Sequence, residues 1–155
     1  MAILSRDEAQ QLLKKVLAYS KADECEVSLS GSEGGNIRYA RNAISTSGDV
    51  STLSLNVSST FGKKTGSASI NEFDDKSLEK VVKRSEELAQ LAPDNPEYMP
   101  ALGNSQFKES ITYNADTAAI TPDFRADAVA KSINVAKAAK LEAAGYIENS
   151  NTFVA

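Results

Sequence analysis

The sequence of 155 residues has no histidine, no tryptophan and a single cysteine. The absence of histidine excludes serine–histidine and cysteine–histidine nucleophile pairs, and it excludes zinc sites built on imidazole ligands. Cys25 has no second cysteine for an internal disulfide, which fits a reducing compartment. The absence of tryptophan disfavours a carbohydrate-binding strand surface. We therefore expect no catalytic centre of the common hydrolytic types in these residues.

Clustered positive charge is also missing. No run of basic residues is longer than two, the net charge is −4 at pH 7, and the sequence pI is about 4.9. Binding to nucleic acid or to an anionic membrane needs concentrated positive charge, so neither partner is expected. The first residues show no secretion-signal pattern, and the apolar runs are far shorter than the ~20 residues of a membrane span. These features predict a cytoplasmic protein.

The hydrophobic periodicity of the first half predicts a helix followed by strands. Ser5 and Glu8 have the spacing of a capping box before apolar residues at helical spacing, which predicts a helix from about Ser5 to Ser20. Alternation with a period of two then predicts short strands, and their short connections imply antiparallel pairing. The predicted turns lie at residues 31–35, 48–49 and 62–64.

The second half predicts two more helices. Asp74 or Asp75 caps a second helix that ends near Leu91, and Thr121 with Pro122 opens a third helix that runs to about Ala144. Strands are predicted at 146–147 and 152–155. The predicted fold class is α+β, with an antiparallel or mixed sheet flanked by about three helices. Their order is helix, strand meander, helix, long loop, helix and strand.

The predicted elements divide the chain into three stretches. Residues 1–91 form a helix–sheet–helix N-terminal domain, residues 92–120 form an irregular connection, and residues 121–155 continue the same domain. The sequence stops inside an apolar run, whereas a natural C-terminus is usually polar. We therefore expect the chain to be truncated at 155.

The chemical motifs of the sequence are weak. Glu24 and Glu26 share one strand face, but acid–base catalysis would need one of them in an apolar pocket. Cys25 lies at an apolar-phase strand position typical of a core residue. From Ser45 to Ser69, 12 of 25 residues are Ser or Thr, which indicates a solvated sheet face or a surface for a partner subunit or an added peptide strand. No catalytic, cofactor-binding or metal-binding residue is assigned.

Several short segments follow one another in a recognisable order. They are Ala22–Val27, Arg41–Ile44, Gly66–Ser69, Ala92–Pro96, Thr121-Pro122, Tyr146–Asn149 and Thr152–Ala155. This order resembles the N-terminal region of the TldD/PmbA family, also called modulator of DNA gyrase. Gly66-Ser67-Ala68-Ser69, followed by a capped helix, is the best of them and is closer to the PmbA type.

The resemblance implies a cytoplasmic metallopeptidase of paired subunits that acts on extended or unfolded peptides. The TldD-type subunit holds zinc with a His-Glu-x-x-x-His helix, which this sequence lacks, and the PmbA-type subunit has no metal site. The expected role is therefore a non-catalytic N-terminal region that helps form a two-subunit chamber with a homologous partner. Zinc is not expected in these residues, and its presence in the full-length protein or the partner stays open. The alternative is a stand-alone peptide- or protein-binding module without enzymatic activity.

Overall fold

The computed structural model describes residues 3–103, 106, 108 and 110–155. Within these ranges the strands form one four-stranded sheet in the order β3-β2-β1-β4, and helices flank it. The predicted α+β class is confirmed. The elements are α1 (Arg6–Leu17), β1 (Glu24–Ala40), β2 (Ala43–Phe61), β3 (Lys64–Ile70), α2 (Asp75–Leu91), the one-turn helix α3 (Ala115–Ala118), α4 (Pro122–Ala138) and β4 (Gly145–Val154).

The three long helices begin where the sequence predicts. Ser5 and Glu8 form the capping box, in which the Ser5 backbone N–H donates to the Glu8 carboxylate at 2.8 Å. Asp74 and Thr121 each accept hydrogen bonds from backbone N–H groups of the first turn that follows, and Pro122 is the first residue of α4. Each cap satisfies N–H groups that have no partner within the helix.

Two of the predicted turns are wrong. Residues 31–35 continue β1 and residues 48–49 continue β2, so each stretch that the sequence predicts as two short strands is one long strand. A Cβ at Gly34 would overlap the carbonyl oxygen of Asn149 on β4, so this glycine allows a close approach between strands. The chain reverses instead at Arg41 and Asn42, whose φ angles of 50° and 59° lie in the left-handed region.

The third predicted turn is confirmed, and the end of α4 is not. Gly62, at a φ of 58°, joins β2 to β3 as predicted. Helix α4 ends at Ala138, earlier than the predicted Ala144, and Lys140 follows it with a φ of 57°. The two C-terminal strands predicted at 146–147 and 152–155 are the single strand β4.

The contacts divide the described residues into two compact units. The first unit comprises residue 3, residues 32–52 and residues 111–152. The second comprises residues 4–31, the described part of 53–110, and residues 153–155. Strands β1, β2 and β4 therefore contribute to both units. The three-part division predicted from the sequence stays a prediction.

Each unit has its own apolar core. The core of the second unit is built from α1, α2 and the strands, and its buried residues are Ala9, Val16, Leu29, Leu55, Val57, Leu78, Val81 and Val82. The core of the first unit is smaller and consists of Ile37, Val129 and Ile133, with Tyr39, Ala126 and Ile147 packed against it. None of the described helices has the length and apolar character needed to cross a membrane.

Candidate functional site

The sheet in the second unit has one face against α2 and one face away from it. The Ser59 and Ser85 hydroxyl oxygens lie 2.7 Å apart, which places Ser59 of β2 on the face toward α2. A Cβ at Gly66 of β3 would overlap the α2 backbone, so Gly66 lies on the same face. Because successive strand residues point to opposite faces, Ser58 and Thr60 lie on the other face. We call that face, within the second unit, the outer face.

A cleft of about 950 Å³ lies at the outer face, and we call it the outer cleft. Its floor is formed by three strands and its wall by the segment after α2. The lining residues are Glu24, Cys25, Glu26, Ser58, Thr60, Thr65, Asn95, Glu97, Tyr98, Met99, Ala101, Leu102 and Gly103.

Hydroxyl groups on the floor of the outer cleft bind one another. The Thr60 and Thr65 hydroxyl oxygens lie 2.9 Å apart, and Ser67 donates to Ser58 at 3.1 Å. Thr60 is only 7% exposed. The Ser/Thr-rich stretch is therefore not a uniformly solvated face, because part of it is buried and internally hydrogen-bonded.

The two glutamates that were predicted on one strand face both line the outer cleft. The Ala101 backbone N–H donates to the Glu24 carboxylate at 3.3 Å. The Tyr98 hydroxyl also donates to Glu24, and this hydrogen bond, with burial, raises the pKa of Tyr98 above its usual 10.0. Tyr98 therefore keeps its proton at neutral pH. Glu26 is exposed and has no hydrogen bond or ion pair to any residue that the structure describes.

The segment after α2 is joined to the β2–β3 turn by one backbone hydrogen bond, and a second one closes a turn within the segment. The Asn95 N–H donates to the Lys63 carbonyl oxygen at 3.0 Å, and the Tyr98 N–H donates to the Asn95 carbonyl oxygen at 3.2 Å. Beyond this anchor Met99 and Leu102 are 83% and 92% exposed. The long loop predicted at 92–120 thus begins with a segment that lines the outer cleft and exposes apolar side chains.

The other residues that the sequence offered as chemical groups take part in packing, helix capping or an ion pair. Cys25 is a free thiol that packs partly against the core of the second unit. Asp74 caps α2, and Asp75 pairs with Lys15 at 2.5 Å. Among the residues that the structure describes, no three His, Cys, Asp or Glu side chains are grouped as metal ligands. The absence of an assigned catalytic or metal residue stays a prediction.

Sequence reasoning missed a buried arginine in the first unit. Arg125 of α4 is 2% exposed, and its guanidinium donates to Asn149 at 2.7 Å and to Asp49 at 2.5 Å. Its Nε has no partner among the described residues, and a cavity of about 250 Å³ adjoins it. The spacing of four residues from Arg125 to Val129, and again to Ile133, is the signal that could have placed it on the buried face.

The protein has an α+β fold with a four-stranded antiparallel sheet, and a polar cleft lies on one face of that sheet. The family model of PmbA/TldA metallopeptidase domain 1 matches residues 25–89 of this chain. The match confirms the resemblance seen in the sequence, and residues 25–89 are similar to the first domain of this family.

Three solved structures have the same fold at low sequence identity. TldE from Thermococcus kodakarensis has a TM-score of 0.77 and 16% identity, and the match covers 95% of this chain and 34% of that one. A proposed modulator of a DNA gyrase from Thermotoga maritima has a TM-score of 0.71 and 15% identity, with coverage of 94% and 33%. A proposed modulator of DNA gyrase from Bacteroides thetaiotaomicron has a TM-score of 0.72 and 17% identity, with coverage of 98% and 36%.

These likenesses show the fold alone. The chain spans about a third of the length of each of these structures. No curated protein was found to match the sequence. Closeness to the PmbA type in particular stays a prediction.

Proposed function

We propose that this chain is the N-terminal, non-catalytic region of a TldD/PmbA-type metallopeptidase subunit. In this role it helps form a two-subunit chamber that handles unfolded or extended peptides in the cytoplasm. The observation that carries the proposal is the match of residues 25–89 to the first domain of the family. The likeness of fold to TldE, over 95% of the chain, supports it.

The chemistry of the residues supports a non-catalytic role. Zinc-dependent peptide hydrolysis needs a metal that polarises the carbonyl and activates water, and such metals are usually held by histidine together with a carboxylate or thiolate. The sequence supplies no histidine and one cysteine. The zinc that the family resemblance implies would then be held elsewhere in the full-length protein or by the partner subunit.

The proposed partner is a homologous subunit, as hetero- or homodimer. The net charge of −4 supports a protein or peptide partner and disfavours nucleic acid. We propose no nucleic-acid partner for this chain.

Co-purification and proteolysis test the proposal together. This chain and a TldD-type subunit encoded in the same genome would be expressed separately and together, and hydrolysis of fluorescein-labelled casein would be followed with and without EDTA. We expect the two proteins to co-purify, the pair to show EDTA-sensitive hydrolysis, and this chain alone to show none with added zinc. EDTA-sensitive hydrolysis by this chain alone would overturn its non-catalytic assignment.

The second candidate function is a stand-alone peptide- or protein-binding module. The outer cleft favours this function, because this chain alone forms it. In the cleft, Met99 and Leu102 expose apolar surface beside carboxylates and hydroxyls. Failure to co-purify with any TldD-type subunit, combined with peptide binding by the chain alone, would favour this function over the first.

A further inference from the structure

The outer cleft has an apolar wall that is exposed in this chain. Met99 and Leu102 are 83% and 92% exposed to solvent. They stand over a strand floor that contains the hydrogen-bonded Thr60 and Thr65 hydroxyls. The volume of about 950 Å³ lies at the upper end of the roughly 300–1,000 Å³ of ligand-binding clefts. The cleft is thus large enough for several side chains of an extended polypeptide.

The charge of the lining decides which polypeptide fits. Three carboxylates, those of Glu24, Glu26 and Glu97, belong to the lining, and the described lining residues include no basic side chain. Negative charge in a cleft attracts cations and repels acidic peptides. The charge complementarity therefore selects a basic segment.

The two strand glutamates differ in how ready they are to bind a cation. Glu24 already accepts hydrogen bonds from the Ala101 N–H and the Tyr98 hydroxyl, so its carboxylate is held in place. Glu26 has no partner among the described residues and is exposed to solvent. An incoming ammonium or guanidinium group can pair with Glu26 without breaking an existing hydrogen bond.

We propose that the outer cleft binds a lysine or arginine side chain of an extended polypeptide segment. The aliphatic part of that side chain packs along Met99 and Leu102, and its charged end reaches Glu26, with Glu24 beside it. Lysine and arginine side chains commonly bury their stems on apolar surface while the charged head stays at a polar site. This proposal rests on the peptide-handling function proposed above, because the peptides handled there supply the bound segment.

Fluorescence anisotropy with defined peptides tests the proposal. The probe is a fluorescein-labelled decapeptide of alternating lysine and threonine, and its matched control has glutamine in place of every lysine. We expect the lysine peptide to bind at least about tenfold more tightly than the glutamine peptide at low salt. Because the contact is electrostatic, raising the salt to about 0.5 M should weaken binding of the lysine peptide selectively.

Charge-matched variants separate the cleft from non-specific attraction. Glu26→Gln removes one charge from the cleft, and Glu87→Gln removes one charge from α2, on the other side of the sheet. We expect Glu26→Gln to weaken binding of the lysine peptide about threefold to tenfold, and Glu87→Gln to change it less than about twofold. Thermal melts of both variants verify that they are folded.

Two results would overturn the proposal. One is equal affinity for the lysine and glutamine peptides, and the other is an equal effect of Glu26→Gln and Glu87→Gln. The subunit assay with casein is independent of this measurement. Co-purification with a TldD-type subunit without lysine-selective binding would reject the cleft proposal alone. Lysine-selective binding without co-purification would reject the subunit proposal alone.

Discussion

Two serine hydroxyls meet in the core of the second unit, and their hydrogen bonds are not equivalent. Ser85 donates to the Val82 carbonyl oxygen at 2.8 Å, so its one hydrogen is used within α2. The Ser59 hydroxyl, 2.7 Å away, is then the donor and Ser85 the acceptor. Both side chains are fully buried. Removal of the acceptor therefore leaves a buried donor without a partner, whereas removal of the donor does not.

This asymmetry predicts unequal effects of two alanine substitutions. We expect Ser85→Ala to lower the free energy of unfolding by about 1–3 kcal/mol, and Ser59→Ala to lower it by less than about 1 kcal/mol. The double variant should be more stable than the sum of the two single effects implies, because no unpaired hydroxyl remains. Urea unfolding of the four proteins measures this cycle. Equal losses for the two single variants would contradict the assigned direction of the hydrogen bond.

The residues that the sequence predicted correctly are those whose partners are close in the chain. The Ser5 and Glu8 capping box depends on residues three apart, and the sequence contains it in full. The Arg125 cluster is different, because its partners Asp49 and Asn149 are 76 and 24 residues away. Only the folded chain brings them together, so no local pattern could predict the cluster.

Close approach between β3 and α2 depends on a missing side chain. A Cβ at Gly66 would lie 2.6 Å from the Ser85 carbonyl oxygen and would overlap the Ala89 backbone nitrogen. Backbone atoms of a helix cannot rotate away as a flexible side chain can. The helix would have to move from the sheet, which would open the packed core beneath it.

We therefore expect Gly66→Ala to lower the free energy of unfolding by about 1–3 kcal/mol or more. The matched control is Gly48→Ala, also within a strand. The nearest atom to a Cβ at Gly48 is Asn36 Nδ2 at 3.9 Å, so that change should lie within about 0.5 kcal/mol of neutral or be stabilising. Denaturant unfolding of both variants provides the measurement. A Gly66→Ala protein as stable as the control would contradict the contact.

The first turn of α2 gives a pH-dependent prediction. Hydrogen bonds from Ser77 and Lys76 to the Asp74 carboxylate lower its pKa below the ordinary 3.8. A lowered pKa in the folded state means stabilisation that is present above the unfolded-state pKa and is lost as the pH falls through the folded-state pKa. Asp74→Asn keeps a capping side chain without a titrating group.

Thermal melts at about pH 6 and about pH 2.5 should therefore differ between the two proteins. We expect the melting temperature of the wild type to fall further on acidification than that of Asp74→Asn. The other carboxylates titrate in both proteins and cancel in the comparison. Parallel losses in the two proteins would show that the Asp74 carboxylate does not stabilise the cap.

Glycine explains why the lengths of the strands were the feature of the fold that was hardest to predict. Clusters of glycine usually mark turns, and the cluster at residues 31–35 predicts one for that reason. In the structure, Gly34 lies against β4 and Gly35 against the Arg125 and Asp49 side chains. These glycines serve contacts between distant segments, and a glycine in a sequence does not distinguish a turn from such a contact.

At the scale of the whole molecule, the outer cleft joins parts that were predicted separately. The sequence placed Glu24 and Glu26 on one strand face and a long loop after Leu91. It did not place the loop over that face, because the link is the hydrogen bond from the Asn95 N–H to the Lys63 carbonyl oxygen, 32 residues earlier in the chain. Hydrophobic periodicity supplied the fold class, and the family resemblance assigned no residue of the cleft.

Burial changes along β2, and this gradient gives a last prediction. Residues 43–52 are exposed or half-buried, whereas Leu55, Val57, Ser59 and Thr60 are buried. The register with β3 runs from the pair Leu55↔Ile70 to the pair Phe61↔Lys64, so the ladder between these two strands covers only the later part of β2. Amides that lack a neighbouring strand or an apolar cover open and exchange at low free-energy cost.

Hydrogen–deuterium exchange with mass spectrometry should therefore show a step along a single strand. We expect peptides that cover residues 55–61 to exchange at least about tenfold more slowly than peptides that cover residues 43–51. Leu55→Ala, which removes a fully buried side chain and costs about 2–5 kcal/mol, should speed exchange in 55–61 and reduce the step. Uniform protection along β2 would contradict this prediction. It would mean that pairing with the β1 backbone alone protects the β2 amides, and that the core beneath Leu55 adds no protection.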